Sequence, residues 1–219
     1  MKLLTTFLSV LACLSFVMPI ATSSHPANRA PLSKAYIMKQ HMDYSKGSLR
    51  IYGPDGTVLY RFTRHIQDPI TGYTTVVLMS PASDALIVLE SSNNLCGHKT
   101  TYTEMKVPGS RKRQFTIDPE GLLKDQWTFN YVDGTNKQQN FKFDRNYANK
   151  EGKVYQQIKG ENGELVAEFE DQKRTDSWLT TSSTREVDTY TLFCTADSPQ
   201  VELVLLMGLV MNRVHDCGL

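Results

Sequence analysis

The sequence predicts a mainly β fold: a closed antiparallel barrel of about twelve strands around a central hydrophobic C-terminal helix. Between residues 48 and 195, short strand-like segments follow one another with turn residues between them and no helical pattern. Near the C-terminus, "VELVLLMGLVMNRVH" carries consecutive apolar residues that cover every side of a helix, which indicates burial all round. A barrel of about a dozen strands is wider than its own side chains can fill, so we expect the helix to occupy its interior.

Several expected strands alternate between apolar and polar residues, as strands with one buried face do. In "QWTFNYV", for example, Trp127, Phe129 and Tyr131 share one face. Hairpin-type dipeptides separate several strands, namely Asp55-Gly56, Asp133-Gly134, Glu151-Gly152 and Asn162-Gly163. In chain order the expected strands are "SLRIY", "TVLYRFT", "YTTVVLM", "DALIVLE", "TTYTEMKV", "RQFTI", "QWTFNYV", "QNFKFD", "KVYQQIK", "ELVAEFE", a short one at "SWLTT", and "EVDTYTLFCT".

The helix is expected over residues 199–215. Either Ser198 or Asp197 can cap its first N–H groups, and Gly218 is typical of a helix end. Its apolar run is roughly half of the ~20 residues that span a bilayer, so we expect protein around it. The alternative is a helix lying across the outside of a sandwich, but that position needs one polar face, and this helix has none.

The N-terminal segment predicts a secreted protein. Residues 1–23 hold one basic residue, an apolar stretch and then small residues, which is typical of a secretory signal peptide. The alternative is an uncleaved membrane anchor formed by residues 3–21. Residues 24–45 contain two prolines and no clear period, so an irregular leader is expected there, followed by the barrel domain over residues 46–219.

Charge and cysteine content restrict the function classes. Removing residues 1–23 takes away one of the 24 basic side chains, and their number then equals that of the 23 acidic ones. A neutral chain lacks the positive field of a non-specific nucleic-acid-binding protein. Three cysteines remain, Cys96, Cys194 and Cys217, so we expect at most one disulfide and one free thiol. We also expect a monomer.

Three stretches, "LRIYGPDGTVLYRF", "ENGELVAEFE" and the final "VELVLLMGLVMNRVH", resemble the tubby C-terminal-like superfamily. That superfamily includes tubby proteins, phospholipid scramblases and LURP-one-related proteins. The resemblance covers roughly residues 45 to 216 and is nearest to short, single-domain, fungal-type members. It implies a twelve-stranded barrel around a hydrophobic helix, and phospholipid headgroup binding through basic residues on the barrel surface. No shared motif transfers individual binding residues.

Neither enzyme activity nor a cofactor is predicted. The sequence has no H-E-x-x-H, no G-x-S-x-G and no nucleotide-binding glycine motif. The best candidate metal ligands are Cys96, His98, His215 and Cys217, because zinc favours two Cys and two His. Their spacing is not that of a zinc finger. We therefore favour a small buried cysteine and a loop histidine, and we predict no metal.

One segment is a candidate binding site. From residue 99 to residue 113 the chain carries five basic residues against one acidic residue, Glu104. Clustered Lys and Arg attract anionic lipid headgroups at about 1 kcal/mol each near a membrane surface. Arg can also bind a phosphate through two N–H groups. The alternative is an ordinary solvated loop. The candidate ligand-binding residues of this basic segment are Lys99, Lys106, Arg111, Lys112 and Arg113.

The function hypothesis combines this segment with the resemblance. It is a non-catalytic, tubby-like module that binds anionic membrane phospholipid headgroups or an unknown protein partner. One alternative is an exported β-barrel that binds a small apolar ligand, although the central helix would fill the space such a ligand needs. Another is an enzyme with an unrecognised site.

Overall fold

The computed structural model describes residues 30–105, 111–120, 124–146, 149–182 and 184–218. The predicted signal peptide and the alternative anchor lie outside these ranges. Within them, no helix is both long enough and apolar enough to cross a membrane.

Twelve strands and one helix make up the described chain, and the strands form one closed barrel. Every neighbouring pair is antiparallel, in the order β1-β12-β11-β10-β9-β8-β7-β6-β5-β4-β3-β2. The predicted fold class is confirmed. The strands are β1 (Lys34–Lys39), β2 (Leu49–Tyr52), β3 (Val58–Asp68), β4 (Tyr73–Met79), β5 (Ala85–Ser91), β6 (Thr100–Glu104), β7 (Gln114–Glu120), β8 (Lys124–Val132), β9 (Gln138–Arg145), β10 (Gly152–Ile158), β11 (Glu161–Arg174) and β12 (Val187–Cys194), and the helix is α1 (Gln200–Cys217).

The helix α1 lies inside the barrel. All its residues from 202 to 213 are buried, and its apolar side chains join those of the strands in one core. At Gly208 an added Cβ would lie 2.4 Å from a ring carbon of Phe62, so the barrel wall approaches the helix here as closely as glycine allows. Below, the barrel end at which α1 begins is called the N end, and the end at which α1 finishes is called the C end.

The two ends of α1 differ in how well the sequence predicted them. Gly218 adopts the left-handed conformation, with φ +67°, and its N–H donates to the Val214 carbonyl, so the predicted stop is confirmed. The predicted side-chain cap at the start is wrong. Pro199 occupies the cap position without a side-chain hydrogen bond, because the Ser198 hydroxyl donates instead to the Thr195 carbonyl.

Two predicted segments need correction. The expected irregular leader contains β1, which pairs with both β12 and β2 and thereby closes the barrel. The expected strand at "SWLTT" is instead a turn after β11. It lies against the outer side of the barrel, where the Trp178 ring is 5.1 Å from the Tyr52 ring and Lys39 Nζ donates to the Leu179 carbonyl.

The hairpin dipeptides predicted the positions of some turns correctly and of others incorrectly. Asp55-Gly56 and Asp133-Gly134 lie in the β2–β3 and β8–β9 connections, as expected. Asn162 and Gly163 belong to β11 rather than to a turn. The β10–β11 turn is Lys159-Gly160, where both residues have positive φ, at 54° and 88°. Such values suit the primed two-residue turns of tight hairpins.

Candidate functional site

The structure separates the predicted basic segment into two parts. Lys99 directly precedes β6 at the C end of the barrel, whereas Arg111 to Arg113 precede β7 at the N end. The five residues of β6 lie between them, a span of roughly 15 Å at about 3.3 Å per residue. Lys106 lies outside the described residues. The described members of the segment therefore do not form one continuous surface.

Arg113 is bound within the protein. Its Nε donates to Glu202 Oε1 at 2.6 Å, and its Nη1 donates to Glu104 Oε1 at 2.8 Å. Both carboxylates are buried, at 2% and 5% exposure. Burial opposes the charge of Arg113, but the neighbouring carboxylates outweigh it and raise its pKa. Burial likewise raises the pKa of Glu202, although Arg113 opposes the shift. Arg113 therefore joins the N-end rim to the first turn of α1.

The other described members remain on the surface. Lys99 Nζ lies 2.9 Å from Asp118 Oδ2, and both side chains are largely exposed, so this pair adds little stability. Arg111 and Lys112 are exposed at the N end. Among the described residues of the basic segment, Arg111 and Lys112 are therefore the two that are exposed and form no salt bridge with an acidic side chain.

The candidate metal ligands are committed elsewhere. Cys96 and Cys217 form a disulfide, so their sulfur atoms cannot serve as zinc thiolates. Across the described ranges, no group of three or more His, Cys, Asp or Glu side chains is placed to hold a metal ion. Cys194 is unpaired and buried, and burial raises the pKa of its thiol. One bridge and one free thiol agree with the cysteine count.

Polar contacts also hold the C end of α1. The buried Arg213 guanidinium donates to Asp125 Oδ2 at 3.2 Å and to the Leu95 carbonyl at 2.8 Å. The Tyr44 hydroxyl donates to Asn212 Oδ1 at 2.8 Å. The interior is thus filled by a helix that is anchored at both ends, so a ligand would bind to the outer surface of the barrel.

The outer surface has a cleft where β1 and β2 separate. Only two residue pairs join these strands, Ile37 with Tyr52 and Met38 with Ile51. Beyond them, toward the C end, the strands diverge and the loop 40–48 crosses between them. The resulting β1–β2 cleft has a volume of about 250 Å³. Its charged and polar lining consists of Lys39, His41, Asp43, Lys46, Ser48 and Arg50.

The cleft has a basic lining. Three Lys and Arg side chains (Lys39, Lys46 and Arg50) line the cleft together with His41 and one carboxylate, Asp43. Hydrogen bonds from Ser45 lower the pKa of Asp43, and His41 and Lys46 lower it further.

Across the β2–β3 ladder, Arg50 lies directly opposite Arg61. Directly opposed like charges destabilise a sheet. Arg61 does not line the cleft, because its Nε donates to the Pro81 carbonyl at 3.0 Å, so the guanidinium that the cleft presents is that of Arg50.

Sequence reasoning missed this cleft although a signal was present. The window "KQHMDYSKGSLR" holds four basic side chains and one acidic one within residues 39–50. Its first part falls in the expected irregular leader, whereas the structure places residues 34–39 in the barrel wall as β1.

No family model, curated protein or solved structure matches this chain. The resemblance to the tubby C-terminal-like superfamily therefore stays a prediction.

Proposed function

We propose that this protein is a non-catalytic module that binds the anionic headgroups of membrane phospholipids in the β1–β2 cleft. The observation that carries the proposal is the concave lining, in which three Lys and Arg side chains and one histidine accompany a single carboxylate. The tubby-like resemblance, which would imply phospholipid headgroup binding, remains part of this proposal.

The chemistry of the lining supports a phosphate-bearing ligand. Lys and Arg near an anionic membrane each contribute about 1 kcal/mol. Arg50 can also donate two N–H groups to one phosphate. The alternative of a small apolar ligand is less favourable, because α1 occupies the barrel interior that such a ligand would need.

The site of the proposal differs from the predicted basic segment. Arg111 and Lys112 lie at the N end, whereas the cleft opens toward the C end. Since both regions carry exposed positive charge, they provide a matched comparison: the same change in net charge can be made at either end of the barrel.

The test compares two charge-reversal variants, Lys46→Glu with Arg50→Glu and Arg111→Glu with Lys112→Glu. Vesicles containing phosphatidylinositol phosphates should bind the wild type better than neutral phosphatidylcholine vesicles do, and salt should weaken the binding. The cleft variant should lose about tenfold or more in affinity, whereas the N-end variant should bind as the wild type does. Thermal unfolding should show that both variants are folded.

Two outcomes would contradict the proposal. Loss of binding in the N-end variant alone would place the site on Arg111 and Lys112. If the wild type binds no vesicle, phospholipid binding fails and a protein partner becomes the leading hypothesis.

A further inference from the structure

The turn between β3 and β4 presents apolar side chains to solvent. Ile70 is 85% exposed, and Ile66, near the end of β3, is 51% exposed. Full exposure of a large aliphatic side chain at the tip of a hairpin forgoes the free energy that burial would provide. We call residues 68–72 together with Ile66 the β3–β4 tip. Its two isoleucines form an apolar surface that the other described residues leave exposed.

Hydrogen bonds fix the conformation of the tip. The Asp68 carboxylate accepts the Ile70 N–H at 2.9 Å and the Thr71 hydroxyl at 2.8 Å, and these bonds lower its pKa. The Asn94 N–H donates to the Gly72 carbonyl at 2.9 Å. Gly72 has φ +74°, and an added Cβ would lie 2.6 Å from the Asn94 nitrogen. The tip is therefore a turn of fixed conformation, in which the Ile70 side chain is held in solvent.

The tip and the β1–β2 cleft lie at the same end of the barrel. The Thr63 hydroxyl of β3 donates to the Gly47 carbonyl at 2.8 Å, which joins the loop 40–48 to this strand. From that contact β3 continues toward the C end and reaches Ile66 three residues later. The apolar tip and the basic cleft thus lie at the same end of the barrel, on the neighbouring strands β3 and β2.

We propose that the β3–β4 tip inserts Ile70 and Ile66 into the acyl boundary of the membrane whose headgroups occupy the β1–β2 cleft. The inference rests on the proposed function and adds the element that penetrates the bilayer. Electrostatic attraction and a small apolar insertion are each weak alone, and the binding of a protein to a membrane surface strengthens with both the apolar area buried and the attraction to anionic lipids.

A membrane fits the tip better than a protein surface does. A stable protein interface buries roughly 800 Å² on each partner around a broad packed centre. The tip offers two aliphatic side chains on a narrow hairpin, a shape that suits penetration between headgroups. Asp68 would approach the anionic surface as a carboxylate, since hydrogen bonds from Thr71 and Ile70 lower its pKa. Its repulsion opposes insertion and must be outweighed by the Lys and Arg side chains of the cleft and by burial of the two isoleucines.

The experiment uses a matched residue at the other end of the barrel. Ile158 closes β10 at the N end and is 55% exposed. We expect Ile70→Ser to reduce binding to anionic phospholipid vesicles by tenfold to a hundredfold, on the order of the transfer of one aliphatic side chain. Ile158→Ser should bind as the wild type does. In a second measurement, vesicles with brominated acyl chains should quench the added fluorescence of Ile70→Trp and leave that of Ile158→Trp unchanged.

The outcomes separate this inference from the function on which it rests. If Ile70→Ser binds as the wild type does and Ile70→Trp is not quenched, insertion is overturned, while loss of binding on reversal of Lys46 and Arg50 would still support the cleft. If the wild type binds no vesicle at all, both proposals fail.

Discussion

At the scale of single residues, position in the fold decides what a charge does. Arg113 is adjacent in sequence to Lys112, yet it contacts the buried carboxylate of Glu202, which lies 89 residues away. Composition predicted the charge of the basic segment but could not predict this contact, because it forms only when α1 enters the barrel. The set of residues that line the β1–β2 cleft could not be predicted for a similar reason, since their proximity depends on where β1 and β2 diverge.

Replacing Arg113 should destabilise the protein strongly. Arg113→Met would leave the buried Glu202 carboxylate without the guanidinium that donates to it and would remove one donor from Glu104. Removal of one partner from a buried pair typically costs about 3–5 kcal/mol. Adding Glu202→Gln to the same chain should restore most of the loss, because a neutral amide needs no counter-ion. Urea unfolding at neutral pH measures both effects. Equal stability of Arg113→Met and the wild type would contradict the role assigned to Arg113.

The same variant should also change the pH dependence of stability. Burial already raises the pKa of Glu202 in the folded wild type. A raised folded-state pKa favours the folded state at pH values below the unfolded-state pKa, and this contribution is lost as the pH rises through the folded value. Loss of Arg113 removes the group that opposes this shift, so the deficit of Arg113→Met should be largest at neutral pH and smaller near pH ~4.5, around the ordinary pKa of a glutamate.

At the scale of elements, prediction succeeded where the hydrophobic pattern was regular. Eleven expected strands correspond to β2 through β12, and α1 begins and ends within two residues of its expected limits. β1 was missed because Tyr36, Ile37 and Met38 are all buried, so the strand lacks alternation. The apolar and β-branched residues of "SWLTT" predict a strand, but the segment is a turn in which Leu179 is buried and Trp178 is half-buried against the Tyr52 ring.

Gly208 tests the packing between α1 and the barrel wall. On an exposed helix, Gly→Ala is stabilising by about 1 kcal/mol. Here the new methyl group would lie 2.4 Å from the Phe62 ring. Overpacking of this kind typically costs 1–3 kcal/mol, so Gly208→Ala should destabilise the protein. The same substitution combined with Phe62→Leu should be less harmful than the two single losses added together. Stabilisation by Gly208→Ala in chemical unfolding would be incompatible with a central helix.

At the scale of the whole molecule, one helix is held at both ends of a closed sheet. Arg113 and Glu202 join the N-end rim to its first turn, while Arg213 and the Cys96–Cys217 disulfide hold its last two turns. Because α1 fills the interior, the barrel offers its outer wall for binding. The sequence predicted this general arrangement from one apolar helix, but the pairing of Cys96 with Cys217 required the three-dimensional position of the loop before β6.

The disulfide should stabilise the molecule without being needed for its fold. It joins residues 121 positions apart, and loss of a native bridge typically costs about 2–5 kcal/mol, largely because the unfolded chain gains freedom. Cys96→Ser with Cys217→Ser should lower the free energy of unfolding by this amount yet leave a cooperative transition, since Arg213 still binds Asp125 and the Leu95 carbonyl. A reducing agent should bring the wild type to the level of this variant and leave the variant itself unchanged. Cys194→Ala is the control. Because this variant keeps the disulfide, the reducing agent should lower its free energy of unfolding as it does that of the wild type. Two results together would show that the bridge does not form. The stability of the wild type would be unchanged by the reducing agent, and Cys96 and Cys217 would react with a thiol reagent in protein unfolded without reduction.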